Sequence, residues 1–497
     1  MKNKNITFLF VAIAVLVYLG IFLFSIKKIQ DKPESLLITD VGRLYPTHVK
    51  EIVKENKVED LQKIIGYARE KGIKISIAGS QHSQGGHTYY KDAVVLNMKN
   101  FNKILNIDLK NKILTVESGA TWDDVQRYIN PYNLSVKVMQ SSNVFTIGGT
   151  LSANAHGRDL DTTALIKTVR GFRLLLANST IINVSRSENY DLFKSVIGGY
   201  GMFGVILDVD LELTENEVYQ TRTAYINYKD FPAYFEDNIK NNKNMGLMLV
   251  RPSIDPEHLF EEFAVLTWER TYNKSKDSKI FELGKEEHVA RTKFIFGISR
   301  KYDWGKKLRW YLQKKYEAEA GRLITRNNAM RPPETPIEFL QYNSPSDTDI
   351  LQEYFIPTRN FINFSEEFKK ILQEDKVNVI SFTIRYVVPN NESYLSYAPN
   401  EEAFAIIYYS NVKLSETGRN NAEKTVQKLA DLAIKNNGTY YLTYNLYPTK
   451  KQIREAYPLI DEIFEKKKKY DPKELFMSKF YAKYALGEDE KSLEKIK

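Results

Sequence analysis

A chain of 497 residues, 43% hydrophobic and 27% charged, has the composition of a packed globular protein and not of a disordered one. The formal charge is +9, but the lysines are dispersed and no zinc-finger spacing or RNA-binding aromatic signature accompanies them, so we predict no nucleic-acid partner. The absence of cysteine excludes disulfides, thiolate metal sites and a catalytic thiol, and we predict no metal site.

The N-terminus carries an uncharged apolar stretch over residues 6–26, ITFLFVAIAVLVYLGIFLFSI. A helix of this length, at about 1.5 Å per residue, spans a hydrocarbon core of roughly 30 Å. A removed signal peptide is the alternative, but the stretch is long for one and no clear small-x-small cleavage site follows it. We therefore predict a single-pass membrane anchor within residues 1–29 and a linker over 30–45. Lysines flank the stretch on both sides and leave its orientation open.

Helices and strands alternate after the linker. Apolar periodicity predicts helices over 58–71 and 192–198, and strands over 73–78, 93–98, 113–119, 169–176, 181–184 and 204–213. The strands that flank Asn178 and Ser179 read as a β-hairpin with its turn at those two residues. Thr121 is predicted to cap a further helix. This order of elements predicts a mixed α+β unit over residues 46–216.

Two glycine-bearing loops in this unit, at residues 79–86 and 147–157, account for three of the six histidines: His82 and His156 lie within them, and His87 directly follows the first. Loops that follow strands can direct backbone N–H groups toward an anion, and glycine lets the backbone approach a ligand closely. A flavin dinucleotide carries two phosphates and suits paired loops of this kind. The alternative is a pair of tight turns with hydrogen-bonding histidines.

Three separated segments, residues 77–98, 146–189 and 197–214, resemble the FAD-linked oxidases of the vanillyl-alcohol oxidase and p-cresol methylhydroxylase type. The resemblance implies an α+β protein: a two-part FAD-binding domain of p-cresol methylhydroxylase type and a substrate (cap) domain, preceded here by one transmembrane helix. FAD is the implied cofactor. The residues implied to bind it are Gly79, Ser80, Gln81, His82, Ser83, Ile147, Gly148, Gly149, Ser152, Asn154, His156, Gly157, Gly204 and Ile206.

A His-Ser pair in the first loop commonly carries a covalent 8α-histidyl bond to the flavin in that family, and His82 is the matching residue here. His87 is the weaker candidate. Imidazole is a suitable nucleophile toward an activated flavin methyl group. Several relatives bind FAD noncovalently, in which case His82 is a hydrogen-bonding loop residue.

Residues 199–204, GYGMFG, match the GxGxxG fingerprint of dinucleotide-binding folds. That fingerprint requires a preceding strand and a following helix, whereas here a helix is predicted before it and a strand after it. We therefore predict no NAD site of Rossmann type.

The pattern changes to longer helices between strands over residues 217–440, which we assign to the substrate domain. The predicted helices cover 304–320, 364–374 and 417–436, and the predicted strands cover 264–267, 353–356, 379–388 and 403–409. The C-terminal segment, 441–497, is predicted to return to the flavin site and to begin with a strand over 441–447, followed by helices.

Thr383 and Arg385 lie on one face of a predicted strand because side chains alternate along a strand. These strands resemble the sugar-lactone and alditol oxidase branch, including arabinono-lactone and gulonolactone oxidases, in which a strand Glu and a strand Arg face the flavin. Glu353 and Arg385 occupy the matching positions, and Arg385 is suited to stabilise negative charge on a substrate oxygen or on reduced flavin. The basic group expected in the last strand is replaced by Tyr444 or Asn445, which leaves the base and the substrate open.

The resemblance implies an FAD-dependent oxidoreductase that oxidises a CH–OH group of a sugar-like substrate by hydride transfer to flavin N5. The C-terminal tail is also similar to that of decaprenylphosphoryl-ribose oxidases, and a membrane anchor suits a lipid-linked sugar. The electron acceptor is oxygen or a membrane electron carrier. The alternatives are C–N oxidation, as in cytokinin dehydrogenases, and flavin binding without turnover.

Overall fold

The computed structural model describes residues 13, 15–20, 36–140, 142–271, 278–284, 289–316, 321–331, 342 and 344–488. Most of the predicted anchor at 6–26 lies outside the described residues, so the anchor stays a prediction. Among the residues that are described, no helix is both long enough and apolar enough to cross a bilayer.

The chain between the anchor and the first domain is packed onto that domain from residue 36. Leu37–Ile38 (β1) pairs antiparallel with Thr47–His48 (β2). Between these strands the buried Asp40 carboxylate accepts a hydrogen bond of 2.9 Å from the backbone N–H of Gly86 in the first glycine loop. The described part of the predicted linker, residues 36–45, is therefore packed against the first glycine loop.

A small parallel sheet precedes the first glycine loop. Its strands are Glu51–Val53 (β3), Ile75–Ala78 (β4) and Val94–Asn97 (β5), in the order β3-β5-β4. The predicted helix is confirmed as Val58–Lys71 (α1), and it ends at Gly72, whose φ of +66° is the left-handed conformation that favours glycine. The buried face of α1 repeats at helical spacing through Leu61, Ile65 and Ala68.

An antiparallel sheet completes the first domain. Its strands are Ile104–Asp108 (β6), Ile113–Glu117 (β7), Leu134–Val136 (β8), Val169–Leu175 (β9), Ile181–Ser185 (β10) and Val205–Glu215 (β11). They lie in the order β10-β9-β11-β7-β6, with β8 pairing the end of β11. The helices are Trp122–Ile129 (α2), Ile147–Ser152 (α3) and Tyr190–Val196 (α4). The predicted hairpin is confirmed as β9 and β10, and the predicted cap as a capping box between Thr121 and Asp124.

The second domain is built on a larger antiparallel sheet. Its strands are Val218–Asn227 (β12), Met245–Pro252 (β13), Glu262–Arg270 (β14), Leu323–Thr325 (β15), Asp347–Pro357 (β16), Val379–Val387 (β17) and Ala403–Lys413 (β18). Its helices are Phe231–Phe235 (α5), Val289–Lys301 (α6), Asp303–Tyr316 (α7), Arg326–Met330 (α8), Phe361–Glu374 (α9) and Glu416–Lys435 (α10). The strand order is β15-β12-β14-β13-β17-β18-β16, and Thr439–Tyr440 (β19) pairs with β16 at the edge.

Different helices pack on the two faces of this sheet. Aromatic side chains of α9 pack on one face, where Phe368 contacts Phe382 and Tyr408. On the opposite face Phe296 of α6 packs with Leu351 and Tyr409. Because side chains alternate along β16, β17 and β18, the odd-numbered residues near Glu353 face away from α9 and toward the first domain.

The C-terminal segment contains Lys450–Ala456 (α11), Ile460–Tyr470 (α12) and Lys479–Tyr481 (α13). The strand predicted over 441–447 is wrong, since the strand itself is Thr439–Tyr440 and the chain turns away from the sheet after Tyr441, whose N–H donates to Glu353 O at 2.9 Å. The carbonyl of Thr443 instead accepts a hydrogen bond of 3.0 Å from Gln84 N in the first glycine loop. The segment then runs beside β4, where Ile75 N donates to Leu475 O at 2.8 Å.

Candidate active site

A cavity of about 950 Å³ extends from the first glycine loop to the inner face of the second sheet. One end is lined by the two glycine loops and by the start of β11. The other end is lined by β12, β13, β17, β18 and the inner sides of α6 and α7. A cavity of this volume is typical of sites for organic ligands, and it joins the two domains.

The first glycine loop begins where β4 ends, and it is held against the second loop. A Cβ on Gly79 would lie only 2.1 Å from Thr146 Oγ1, so the close approach of the loops requires glycine there. Ser80 Oγ donates a hydrogen bond of 2.8 Å to Val144 O. Gln81 adopts a positive φ of 56°. The predicted residues Gly79, Ser80, Gln81, His82 and Ser83 all line the cavity.

His82 lies in this loop with its ring 4.6 Å from that of Phe145. Burial lowers the pKa of His82 to about 4, so the imidazole is neutral near pH 7 and keeps a nitrogen lone pair. His87 also lines the cavity, but its ring is packed between Tyr200, at 5.0 Å, and Phe480, at 5.3 Å. Of the two histidines, His82 is therefore the less confined by neighbouring rings.

The second glycine loop contributes Gly148, Gly149, Ser152 and His156 to the cavity, as the resemblance implies. Its other three predicted residues do not line the cavity and have structural positions instead. Ile147 is fully buried in the core, Asn154 Oδ1 accepts a hydrogen bond of 3.0 Å from Ile166 N, and a Cβ on Gly157 would lie 2.5 Å from Met139 O.

Gly204 and Ile206, the remaining predicted residues, lie at the start of β11 and line the cavity. A Cβ on Gly204 would meet the carbonyl of Leu175 at 2.5 Å, so the turn into β11 packs directly on β9. The GxGxxG motif at 199–204 follows α4 and precedes β11, as predicted. It therefore lacks the strand-turn-helix context of a Rossmann site.

The end of the cavity that the glycine loops line has buried polar atoms without a partner. In the part of the chain that the structure describes, the buried Ser83 Oγ, Ser118 Oγ, Gln140 Oε1 and Ser142 Oγ have no hydrogen-bond partner, and all four residues line the cavity. Buried polar groups are almost always satisfied, so these atoms fit the polar groups of a bound dinucleotide. Ser118, Gln140 and Ser142 were missed from the sequence, although Ser118 ends a predicted strand beside a glycine.

The three predicted catalytic residues meet at the centre of the cavity. Glu353 Oε1 lies 2.6 Å from His156 Nε2, and Tyr444 Oη donates a hydrogen bond of 3.3 Å to Glu353 Oε2. Arg385 Nη1 donates a hydrogen bond of 3.3 Å to the backbone carbonyl of His156. The His156 and Glu353 side chains are each only 1% exposed. The sequence implied His156 as a cofactor contact and gave no sign of its pairing with Glu353.

Strand register explains how Glu353 and Arg385 reach one site. Glu353 and Thr383 both pair with Ile407 of the strand between them, so they stand in one row across the sheet. Arg385 stands one row further along on the same face. Thr383 Oγ1 accepts a hydrogen bond of 2.5 Å from Arg251 Nη1, which adds a second guanidinium to this face of the cavity.

Buried tyrosines surround the carboxylate. Burial raises the pKa of Tyr444 well above its usual value, and the nearby Glu353 raises it further. Burial raises the pKa of Tyr441 and Tyr200 in the same direction. Tyr441, which was missed from the sequence, donates a hydrogen bond of 2.9 Å to Ala153 O of the second loop. These phenols stay protonated near neutral pH and act as hydrogen-bond donors.

Comparison with known proteins agrees with this geometry. Residues 49–185 match the family model described as an FAD binding domain. The chain is 25% identical over 186 residues to L-gulonolactone oxidase of Bos taurus, covering 37% of this chain and 42% of that enzyme. It is 28% identical over 187 residues to decaprenylphosphoryl-beta-D-ribose oxidase of Mycolicibacterium smegmatis, covering 37% and 39%. It is 25% identical over 274 residues to cytokinin dehydrogenase 3 of Arabidopsis thaliana, covering 53% and 51%.

The first domain is thus an FAD-binding domain, and the predicted cofactor and resemblance are confirmed. The matches span about half or less of these relatives' lengths. The catalytic and cofactor roles of individual residues stay predictions, and all of these residues except Ile147, Asn154 and Gly157 line one cavity.

Proposed function

We propose that the chain is an FAD-dependent oxidoreductase that oxidises a CH–OH group of an alditol, a sugar lactone or a lipid-linked sugar. The observation that carries the proposal is the buried pair of Glu353 and His156, with Tyr444 and Arg385 around it, in the cavity that the flavin loops also line. When bound, FAD supplies the hydride acceptor.

The protein's own groups manage the substrate proton. Glu353 Oε2 is the carboxylate oxygen that faces Tyr444, while Oε1 is held by His156. A substrate hydroxyl placed beside Oε2 would lose its proton to the Glu353–His156 pair, acting as general base. Arg385 would hold the same oxygen and stabilise the negative charge that develops on it.

The phenols of Tyr444 and Tyr441 stay protonated because burial raises the pKa of both. They therefore orient hydroxyl groups of a substrate and do not accept its proton. Toward the second sheet the cavity wall continues with Thr221, Thr223, Arg251, Ser381 and Thr383. Apolar side chains, among them Leu266, Ile295 and Phe296, line the same wall. Its hydroxyl and guanidinium groups can therefore bind hydroxyl groups of a substrate beside an apolar surface.

An anaerobic reduction screen tests this proposal. The purified flavoprotein is mixed with alditols, sugar lactones and polyprenyl-phosphate sugars, and the flavin absorbance is followed with oxygen excluded. Bleaching by at least one of these classes supports the proposal. If none of them reduces the flavin while dithionite does, CH–OH oxidation is rejected.

The same screen has an amine arm, because the match to cytokinin dehydrogenase 3 extends over 53% of this chain. C–N oxidation would be supported by bleaching with N-alkylated adenines and not with sugars. A flavin that only dithionite reduces would favour a binding protein without turnover.

We propose in addition that His82 carries the flavin covalently. Its imidazole lies in the first loop and is neutral near pH 7, because burial lowers its pKa to about 4. Acid precipitation should leave yellow colour with the wild-type chain and release it from His82→Ala, with His87→Ala retaining it. Free release of FAD from the wild type would show that the cofactor is noncovalent.

We also propose that residues 6–26 anchor the enzyme in a membrane, with oxygen or a membrane electron carrier as acceptor. Alkaline carbonate extraction should leave the full chain in the membrane pellet. Rapid reoxidation of the reduced flavin by air would identify an oxidase, whereas reoxidation by a soluble quinone and not by air would identify a dehydrogenase.

A further inference from the structure

The outer side of α7 exposes large side chains at helical spacing. Trp304, Leu308 and Tyr311 lie at positions i, i+4 and i+7 and are 56%, 39% and 58% exposed. Tyr302, at the turn between α6 and α7, is 51% exposed and stacks on Trp304 with ring centroids 5.6 Å apart. We call these four residues the aromatic ridge. A contiguous exposed apolar ridge marks an interaction surface more often than a chance arrangement.

The opposite side of α7 is packed against the rest of the protein. The ridge is therefore the outer face of a docked helix and not a core-facing surface left uncovered. Trp310 is 5% exposed, and its Nε1 donates a hydrogen bond of 3.2 Å to Glu262 of β14. A Cβ on Gly305 would lie 2.4 Å from the side chain of Ile298, which brings α7 into close contact with α6.

The ridge stands on the most basic segment of the chain. Residues 289–316, which form α6 and α7, contain nine Lys and Arg and a single acidic residue, Asp303. The formal charge of this segment is therefore +8. Among its ion pairs are Arg300 with Asp349, Lys306 with Asp303, Lys307 with Glu257 and Lys314 with Glu262.

Two further observations fix the orientation of this pair of helices. Its inner side is a wall of the cavity, through Thr292, Ile295, Phe296 and Leu312. The described part of the N-terminal apolar stretch touches its outer side, where the Tyr18 ring lies 6.2 Å from that of Phe294. The Lys301 Nζ also lies 5.4 Å from the Tyr18 ring centroid.

We propose that the aromatic ridge docks on the surface of a bilayer rich in anionic lipid. Trp and Tyr favour the boundary between headgroups and acyl chains, and flanking lysines are attracted to an anionic leaflet. The formal positive charge of α6 and α7 favours an anionic lipid surface as the occupant of the ridge. Docking would place α6 and α7, which form one wall of the cavity, at the membrane surface. This proposal does not depend on which substrate the enzyme oxidises.

Trp304 makes this docking measurable. The chain has four tryptophans, and the other three, Trp122, Trp268 and Trp310, are at most 8% exposed. The full chain is reconstituted into vesicles of phosphatidylglycerol and phosphatidylcholine, with or without bromine on the upper part of the acyl chain. The difference between wild type and Trp304→Phe isolates the emission of Trp304. We expect this emission to shift to the blue in vesicles and to be largely quenched by the brominated lipid.

Quenching, not vesicle binding, is the deciding readout, because residues 6–26 can hold the chain on a vesicle by themselves. Lys301→Glu with Lys315→Glu should reduce the quenching, as should phosphatidylcholine vesicles without anionic lipid. Tyr311→Ser should also reduce it, whereas Tyr67→Ser, at an equally exposed tyrosine of α1, should not. All variants should keep the flavin spectrum of the wild type.

Three results would overturn the proposal. One is equal Trp304 emission in brominated and unbrominated vesicles that carry the chain. A second is the absence of any binding to anionic vesicles. The third is a Trp304 signal that depends on protein concentration, together with a dimer in sedimentation that Tyr311→Ser dissociates, which would make a second copy of the chain the occupant of the ridge.

Discussion

The two ends of the cavity are built in different ways. At the flavin end, short runs of neighbouring residues, 79–83 and 147–157, hold most of the predicted contacts, and glycine is required where the loops meet. At the substrate end, the central residues come from four distant places, His156, Glu353, Arg385 and Tyr444. The glycine loops are thus local motifs, whereas this cluster forms only where a loop of the first domain, two strands of the second sheet and the C-terminal segment meet.

Glu353→Gln should have the largest effect and should act only at the substrate end. The amide removes the base but keeps the shape, so the rate of flavin reduction by substrate should fall by about 10²–10⁴-fold. Flavin content should stay that of the wild type. Glu366→Gln, on the exposed side of α9, is the matched control and should change neither quantity. A full rate in Glu353→Gln would show that the proton leaves by another route.

Burial of His87, which lines the cavity, should make the free energy of unfolding depend on pH. Burial lowers the pKa of His87 to about 4, against 6.5 for an exposed histidine, so the unfolded chain binds a proton there between these values and the folded chain does not. Stability from this residue is therefore complete above about pH 6.5 and falls as the pH is lowered toward 4, by up to about 3 kcal/mol.

The measurement for His87 is urea unfolding of wild type and His87→Phe at several pH values. Buried Asp40 and Asp159 act in the opposite direction, because burial raises the pKa of each to about 6, so the wild-type curve alone mixes both effects. The difference between the two proteins should shrink below pH 6. A constant difference across the range would mean that His87 does not titrate as its burial requires.

Gly79→Ala should damage the flavin end and leave the second sheet intact. Its new Cβ would stand 2.1 Å from Thr146 Oγ1, and forcing the loops apart should cost about 1–3 kcal/mol and lower the flavin content. Adding Thr146→Ala removes that oxygen and should restore part of the flavin. The control is Gly66→Ala in α1, where the nearest atom is 3.6 Å away and alanine favours the helix. Full flavin content in Gly79→Ala would contradict the close approach of the loops.

The sequence predicted best what is decided locally. The β9–β10 hairpin, α1 with its glycine stop, and both glycine loops follow from periodicity and turn residues. The strand predicted over 441–447 failed because alternating tyrosines and apolar residues look like a strand, while Thr443 O is in fact bonded to Gln84 N. The pairing of His156 with Glu353 was not predicted, because 197 residues separate the two and only the folded chain brings them together.

The smallest predicted effect tests whether a helix cap stabilises only its own helix. Thr121→Ala removes a cap that the sequence predicted, in which Thr121 Oγ1 accepts from Asp124 N at 3.2 Å, and it should cost about 1 kcal/mol of unfolding free energy. Thr449→Ala removes the equivalent capping box of α11, in the segment where the sequence prediction was wrong. If caps act through their own helix alone, both variants should lose similar stability and Thr121→Ser should lose little. A clearly larger loss in Thr449→Ala would mean that the cap of α11 also holds the chain that turns back over the flavin loop, so that a local motif there has a long-range role.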